Sequence, residues 1–263
     1  MPSKMKVLFV GDIVGRPGRV AVRRFLPPLI EELAPDFILG NAENAAGGYG
    51  LTEAVAKELF EAGFDLLTSG NHIWRREFLP YLAKAERVLR PANYPAGAVG
   101  KGYALLEKDG QKLGVINLEG RVFMRSLECP FRQGAALAEN LRQETPCIVV
   151  DFHAEATSEK LALGWYLDGK VSALLGTHTH VQTGDERILP EGTAYISDVG
   201  MTGLRDGVIG MHRGQAIEMF LTQVPRKLEV PKTGPKKLEA VFLEIDQDSG
   251  KALQILRLRR EDP

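Results

Sequence analysis

The chain of 263 residues carries 33 lysines and arginines against 34 aspartates and glutamates, with 44% hydrophobic and 25% charged residues. That is the composition of an ordinary globular protein, and the near-balance removes the broad basic field that an extended nucleic-acid footprint needs. Cys129 and Cys147 form neither a disulfide framework nor a CxxC pair and read as small buried hydrophobes. No apolar run nears the roughly 18 residues of a membrane span, and Met5–Val10 is too short for a signal-peptide core, so a cytoplasmic protein is expected.

The first half alternates short apolar runs with helical spacing, the rhythm of βαβ units. Strands are predicted at Val7–Val10, Phe37–Leu39 and Leu66–Thr68. A helix over Arg19–Leu33 follows the loop Ile13–Gly18, and a second runs from an N-cap at Thr52 to Ala62. Further strands are expected at Lys112–Leu118, Cys147–Phe152 and Val171–Leu175, with helices at Phe131–Gln143 and Thr157–Leu167. Beyond His180 the pattern turns to strands, at Arg187–Leu189, Thr193–Ile196, Glu218–Thr222, Glu239–Ile245 and Leu253–Leu258. The fold class is α/β: a mixed-sheet sandwich with helices outside, in a single domain over 1–263. Val224–Lys237, with three prolines and five basic residues, reads as a solvated loop.

Strand after strand ends in a small residue followed by a side chain able to bind metal: Gly11-Asp12, Ala42-Glu43-Asn44, Gly70-Asn71-His72, Asp151-Phe152-His153 and Gly176-Thr177-His178-Thr179-His180. Ligands gather beyond the carboxyl ends of strands in α/β sheets, so these segments should converge on one cleft. Singly each is weak, since Asp12 suits a turn and a lone His153 suits a core. His178 and His180, two residues apart, would project to the same side from an extended backbone and could serve one or two metals. Four of the five histidines fall in this pattern; His212 is read as structural. Carboxylate, carboxamide and imidazole without thiolate suit Mn, Fe, Zn or Co, and Glu43 has two oxygens with which to bridge cations about 3.5–4 Å apart. Two dications would make the cleft attract a phosphate anion.

These residues, with Gly11-Asp12-Ile13-Val14-Gly15-Arg16-Pro17-Gly18 and Ser197-Asp198-Val199-Gly200-Met201-Thr202-Gly203, resemble the metallophosphoesterases of the calcineurin-like superfamily, and within them the YmdB-like phosphodiesterases, over nearly the whole chain. Val14 stands where the superfamily usually has a histidine and Glu43 where it has a bridging aspartate, with Asn44 beside it. The resemblance implies a four-layer α/β/β/α sandwich with two mixed sheets. It further implies one metal held by Asp12, Glu43, Asn44 and His180 and another by Glu43, Asn71, His153 and His178, with Fe or Mn preferred and Zn or Co as alternatives. The expected reaction is in-line attack of a metal-bridging hydroxide on a small phosphodiester, a 2′,3′-cyclic nucleotide first among them, with His72 protonating or orienting the leaving oxygen.

Arg16 and Arg19, near a helix N-terminus, are candidates to touch a substrate phosphate, against surface solvation. Asp151 and Asp198 are candidates to orient ligating histidines, against a turn role. The competing readings are a phosphomonoesterase or nucleotidase on the same site, a Rossmann-type oxidoreductase built on Gly11, Gly15 and Gly18, and a regulatory protein with a vestigial site. A membrane partner is not expected, and the oligomeric state, homo-oligomer included, stays open.

Overall fold

The computed structural model describes residues 3–75 and 77–263. Among them the elements run β1 (Lys4–Val10), β2 (Asp12–Ile13), α1 (Gly15–Leu33), β3 (Phe37–Asn41), α2 (Glu53–Glu61), β4 (Leu66–Thr68), α3 (Leu79–Leu82), β5 (Tyr103–Lys108), β6 (Gln111–Glu119) and α4 (Pro130–Leu141). They continue with β7 (Ile148–His153), α5 (Thr157–Leu167), β8 (Ala173–Thr177), β9 (Arg187–Ile188), β10 (Ala194–Ile196), β11 (Met201–Leu204), α6 (Arg213–Thr222), β12 (Lys236–Asp246) and β13 (Ala252–Glu261). One sheet orders its strands β2-β11-β12-β1-β3-β4, with β13 on β12, and the other β5-β6-β7-β8-β10-β9. Both are mixed: β1, β3 and β4 run parallel, as do β6, β7, β8 and β10, with antiparallel partners beside them.

Strands apolar on both faces make this layering stable, because successive side chains point to opposite sides. On β1, Met5, Val7 and Phe9 meet Leu113, Val115, Val149 and Leu175 of the second sheet, forming the inter-sheet core. Leu8 and Val10 point the other way, to Val22, Leu26 and Leu29 of α1. Ile148, Val150 and Phe152 of β7 likewise face Ala138 of α4 and Leu163 of α5. The result is the expected α/β/β/α sandwich.

Several elements differ from expectation. Glu218–Thr222, expected as a strand, lies in α6; with only Ala216 buried, that helix offers no apolar stripe to betray its period, and His212 caps it by accepting from the Gln215 N–H at 3.3 Å. The first helix begins at Gly15, so Pro17 sits inside it and the loop expected up to Gly18 is short. The strand expected from Val171 starts at Ala173. The edge strand β5 went unread because its side chains are largely exposed, and β11 because it is only four residues long. Cys147 is buried, but Cys129 is half-exposed ahead of α4. A Cβ at Gly11 or Gly18 would strike the backbone of Gly200 or Thr202, so both serve close strand and helix packing. The basic stretch after α6 is an extended loop as far as Pro235, after which Lys236 and Lys237 join β12.

Candidate metal centre

Three parallel strands of the first sheet and two of the second bring their carboxyl ends to one edge of the inter-sheet core. Buried amides lock that edge across the sheets. Asn117 of β6 accepts from the Ser69 N–H and donates to its carbonyl, both at 2.9 Å, and Asn41 Nδ2 of β3 donates to Asp151 Oδ2 of β7 at 3.0 Å. Asp12, Glu43, Asn44, Asn71, His72, His153, His178 and His180 are all gathered there.

The three histidines at the end of β7 and just beyond β8 each have an acceptor behind one ring nitrogen. Thr177 Oγ1 donates to Asp151 Oδ1 at 2.7 Å and therefore accepts from His153 Nδ1 at 2.9 Å, leaving His153 Nε2 as the inward atom. His180 Nδ1 lies 2.9 Å from the Ile209 carbonyl, which fixes its Nε2 as the inward atom. His178 Nε2 pairs with Glu155 Oε2 at 3.0 Å, turning Nδ1 inward. Outer acceptors of this kind set the tautomer and basicity of metal-binding imidazoles. His178 and His180 are not on extended backbone as expected. They follow β8 with φ of 104° and 65°, a left-handed turn that sends the first ring to His153 and the second to Asp12 and Asn44. Such strain in non-glycine residues is tolerated where the surroundings fix it, and is common at functional sites.

The inward atoms crowd. His153 Nε2 lies 3.0 Å from His178 Nδ1 and 3.2 Å from both Glu43 Oε1 and Asn71 Oδ1. One proton cannot serve three acceptors, whereas a cation can. Ligand atoms of Glu43, His153 and His178 fall within 4.8 Å of one another. Asp12 accepts from the His178 N–H on Oδ2 at 3.1 Å, but its Oδ1 is buried with no hydrogen-bond partner, 3.7 Å from His180 Nε2. An orphaned carboxylate oxygen at this depth is costly unless a cation meets it. A side chain at Gly70 would strike His153 and Glu43, so glycine is needed for the rings to close over this strand end. The donor set thus fits divalent cations.

The electrostatics agree. Burial raises the Asp12 carboxyl, with His180 and His153 opposing. Burial also acts to raise Glu43, but His153 and His72 hold it well below the usual range. Burial would lower His153, yet the Glu43 carboxylate pushes it up to about 9, while burial and then the charge of His153 push His178 down to about 3. Asn44 donates from Nδ2 to Glu43 Oε1 at 2.9 Å, and the same nitrogen lies 3.3 Å from His180 Nε2. Its Oδ1 is 2.8 Å from His72 Nδ1. The amide thus shows its nitrogen to the Asp12 side, and ligation through oxygen there needs a half-turn. His72 is half-buried, its Nδ1 also 3.2 Å from Glu43 Oε1 and its ring 4.3 Å from Tyr49.

The candidates outside the ligand set fare differently. Arg19 does not reach the cleft: it pairs with Glu58 at 2.7 Å and donates to the Ala45 carbonyl, steadying the loop behind Asn44. Arg16 is exposed on the first turn of α1. Asp151 reaches His153 only through Thr177, and burial pushes it up to about 7. Asp198 touches no histidine; it binds Lys160 at 2.9 Å and the Thr179 N–H and hydroxyl at 3.0 and 2.8 Å, holding the residue between His178 and His180. Thr177, Glu155 and the Ile209 carbonyl escaped the sequence reading. The first two lie beside the histidines in sequence, but nothing marks a backbone carbonyl 29 residues from His180.

Two hollows open on either side of His178. One, of about 290 Å³, is lined by residues including Glu43, His72 and His180; the other, of about 310 Å³, by Asn71, Glu119, Phe123, Met124 and Arg125. Layering, strand-end ligands and cleft together define a metallophosphoesterase-type architecture. The chain belongs to the YmdB-like protein family, whose model matches residues 8–258. It is 48% identical over 259 residues, 98% of both chains, to the 2′,3′-cyclic-nucleotide 2′-phosphodiesterase of Bacillus subtilis. Among solved structures it resembles a hypothetical protein from Thermus thermophilus, with 41% identity, a TM-score of 0.91 and coverage of 98% of this chain and 100% of the other. It also resembles a novel phosphatase from Mycoplasma pneumoniae, with 34% identity, a TM-score of 0.93 and coverage of 99% and 95%.

Proposed function

We propose that the chain is a dinuclear, metal-dependent phosphodiesterase that opens a small cyclic phosphodiester, a 2′,3′-cyclic nucleotide first among them. The observation that carries this reading is the convergence of three inward-facing imidazole nitrogens on Glu43 and on the unpartnered Asp12 Oδ1. Asp12, Glu43, Asn44 and His180 would hold one cation and Glu43, Asn71, His153 and His178 the other, with Fe or Mn preferred over Zn or Co. Bound there, dications lower the pKa of water and offset charge on phosphoryl oxygens. The protein's own part is to orient and to move protons. The half-turn that would put the Asn44 oxygen on the cation would set its Nδ2 against His72 Nδ1, so that Nδ1 accepts and Nε2 holds the proton that the departing ribose oxygen takes as its bond to phosphorus breaks. The name of the Bacillus relative supports the diester, and the absence among the described residues of a helix long and apolar enough to cross a membrane accords with a cytoplasmic setting. The shared inter-sheet core supports one domain over 1–263.

Initial rates with Mn²⁺ or Fe²⁺ on 2′,3′-cyclic AMP and on adenosine 3′-monophosphate test the assignment. Faster turnover of the diester is expected; dominant monoester turnover would make the protein a phosphomonoesterase, and turnover of neither would overturn the hydrolase reading.

A further inference from the structure

The hollow on the Asn71 side of His178 has features that the metal chemistry does not use. Phe123 is 90% exposed and sits at φ 61°. A large aromatic in the left-handed region costs backbone strain, and one packed on nothing offsets none of it. The loop that carries it is nonetheless built. Arg121 N–H and Val122 N–H both donate to the buried Glu159 carboxylate at 3.0–3.1 Å, and Met124 N–H closes the turn on the Arg121 carbonyl at 3.2 Å. Gly120 lets the turn start tight against Ala154, since a Cβ there would press on it.

Glu119, at the end of β6 and in register with His153, forms the inner wall. It is fully buried. Tyr94 donates to its Oε2 at 3.1 Å, while Oε1 has no partner. A buried carboxylate oxygen left unmatched beside an aromatic platform asks for an N–H or O–H donor from a ligand. The other exposed aromatic of the cleft, Tyr49, is already stacked against His72, so Phe123 is the ring left free for a ligand among these two.

We propose that this hollow is the nucleoside subsite, with the base stacked on Phe123 and a base or ribose donor directed to Glu119 Oε1, the cyclic phosphate lying past Asn71 and His178. This rests on the phosphodiesterase reading above. Base stacking on an aromatic is tolerant of sequence, so Phe123 would serve each of the four bases, and Glu119 would refine the choice among them.

The test compares kcat/KM for 2′,3′-cyclic AMP with that for glycerol 1,2-cyclic phosphate, which keeps the strained diester and lacks the base. In the Phe123→Ala variant the nucleotide-to-glycerol ratio is expected to fall about tenfold, mainly through KM, and Phe123→Trp is expected to restore it. Glu119→Gln should lower the same ratio. Because Phe123 packs on nothing, its substitution leaves the fold intact. A ratio unmoved by Phe123→Ala, or a loss of the same size on both substrates, overturns the subsite. Wild-type protein that hydrolyses neither diester overturns the phosphodiesterase reading itself.

Discussion

The two halves of the candidate metal centre are fixed in different ways. Behind His153 stands a chain of buried side chains, Thr177 to Asp151 to Asn41, that ties strands of both sheets together. Behind His180 stands one backbone carbonyl, that of Ile209, in a loop whose side chain is half exposed and whose φ is 47°. The first half is thus set by the core and the second by a loop laid over it. A rigid half can hold a cation in fixed geometry, while a half closed by a loop can adjust as substrate enters.

The largest effect should come from Glu43, the residue both halves share. Glu43→Ala removes a partner of His153, His72 and Asn44 at once, and is expected to cost about 10³-fold or more in kcat on bis-p-nitrophenyl phosphate. A loss under tenfold would sink the bridging role. Next comes His72. If it supplies the leaving-group proton, His72→Ala should cost about 10²–10³-fold on a diester with a ribose leaving group and far less on one releasing p-nitrophenolate, which needs no acid. Equal losses on both would make His72 a structural partner of Asn44.

The contrast between the halves can be read from metal titrations. Thr177→Val removes the hydroxyl behind His153 and should weaken metal binding by about tenfold or more, whereas Ile209→Ala keeps the carbonyl behind His180 and should leave it unchanged. The reverse order would break the comparison. The smallest effect is in pH. In chelator-stripped protein His153 keeps its proton up to about 9, so a cation must displace it. Apparent metal affinity should therefore fall about tenfold per unit as pH drops below about 9, with proton uptake on metal removal in weak buffer. The sign for stability follows: with its folded pKa above the ordinary 6.5, His153 stabilises the stripped fold fully below pH 6.5, and that contribution disappears as pH rises through about 9. PH-independent affinity would contradict the pairing of His153 with Glu43.

Much of this was legible in the sequence, for a physical reason. Strands buried on both faces give short apolar runs, and the polar residue that ends each run has nowhere to go but the common edge. The Thr52 cap, β4 and α5 were read to the residue because cap chemistry and burial act locally there. What escaped depends on contacts far along the chain. α6 lies almost wholly at the surface, so its exposed Ile217, Phe220 and Leu221 imitate a strand. The His178-His180 pair converges on the site for a different reason than alternation: the turn after β8, which no residue type announces, splits the two rings between the halves. Arg19 was drawn away by Glu58, a partner on α2 that sequence distance conceals.

The central claim is that two cations share Glu43. Elemental analysis of protein purified under reducing, anaerobic conditions, wild type beside His153→Ala and His180→Ala, tests it most directly. Two transition-metal ions per wild-type chain are predicted, with fewer in each variant and diesterase activity lost in both; a wild-type chain that turns over 2′,3′-cyclic AMP at full rate with one metal or none would contradict it.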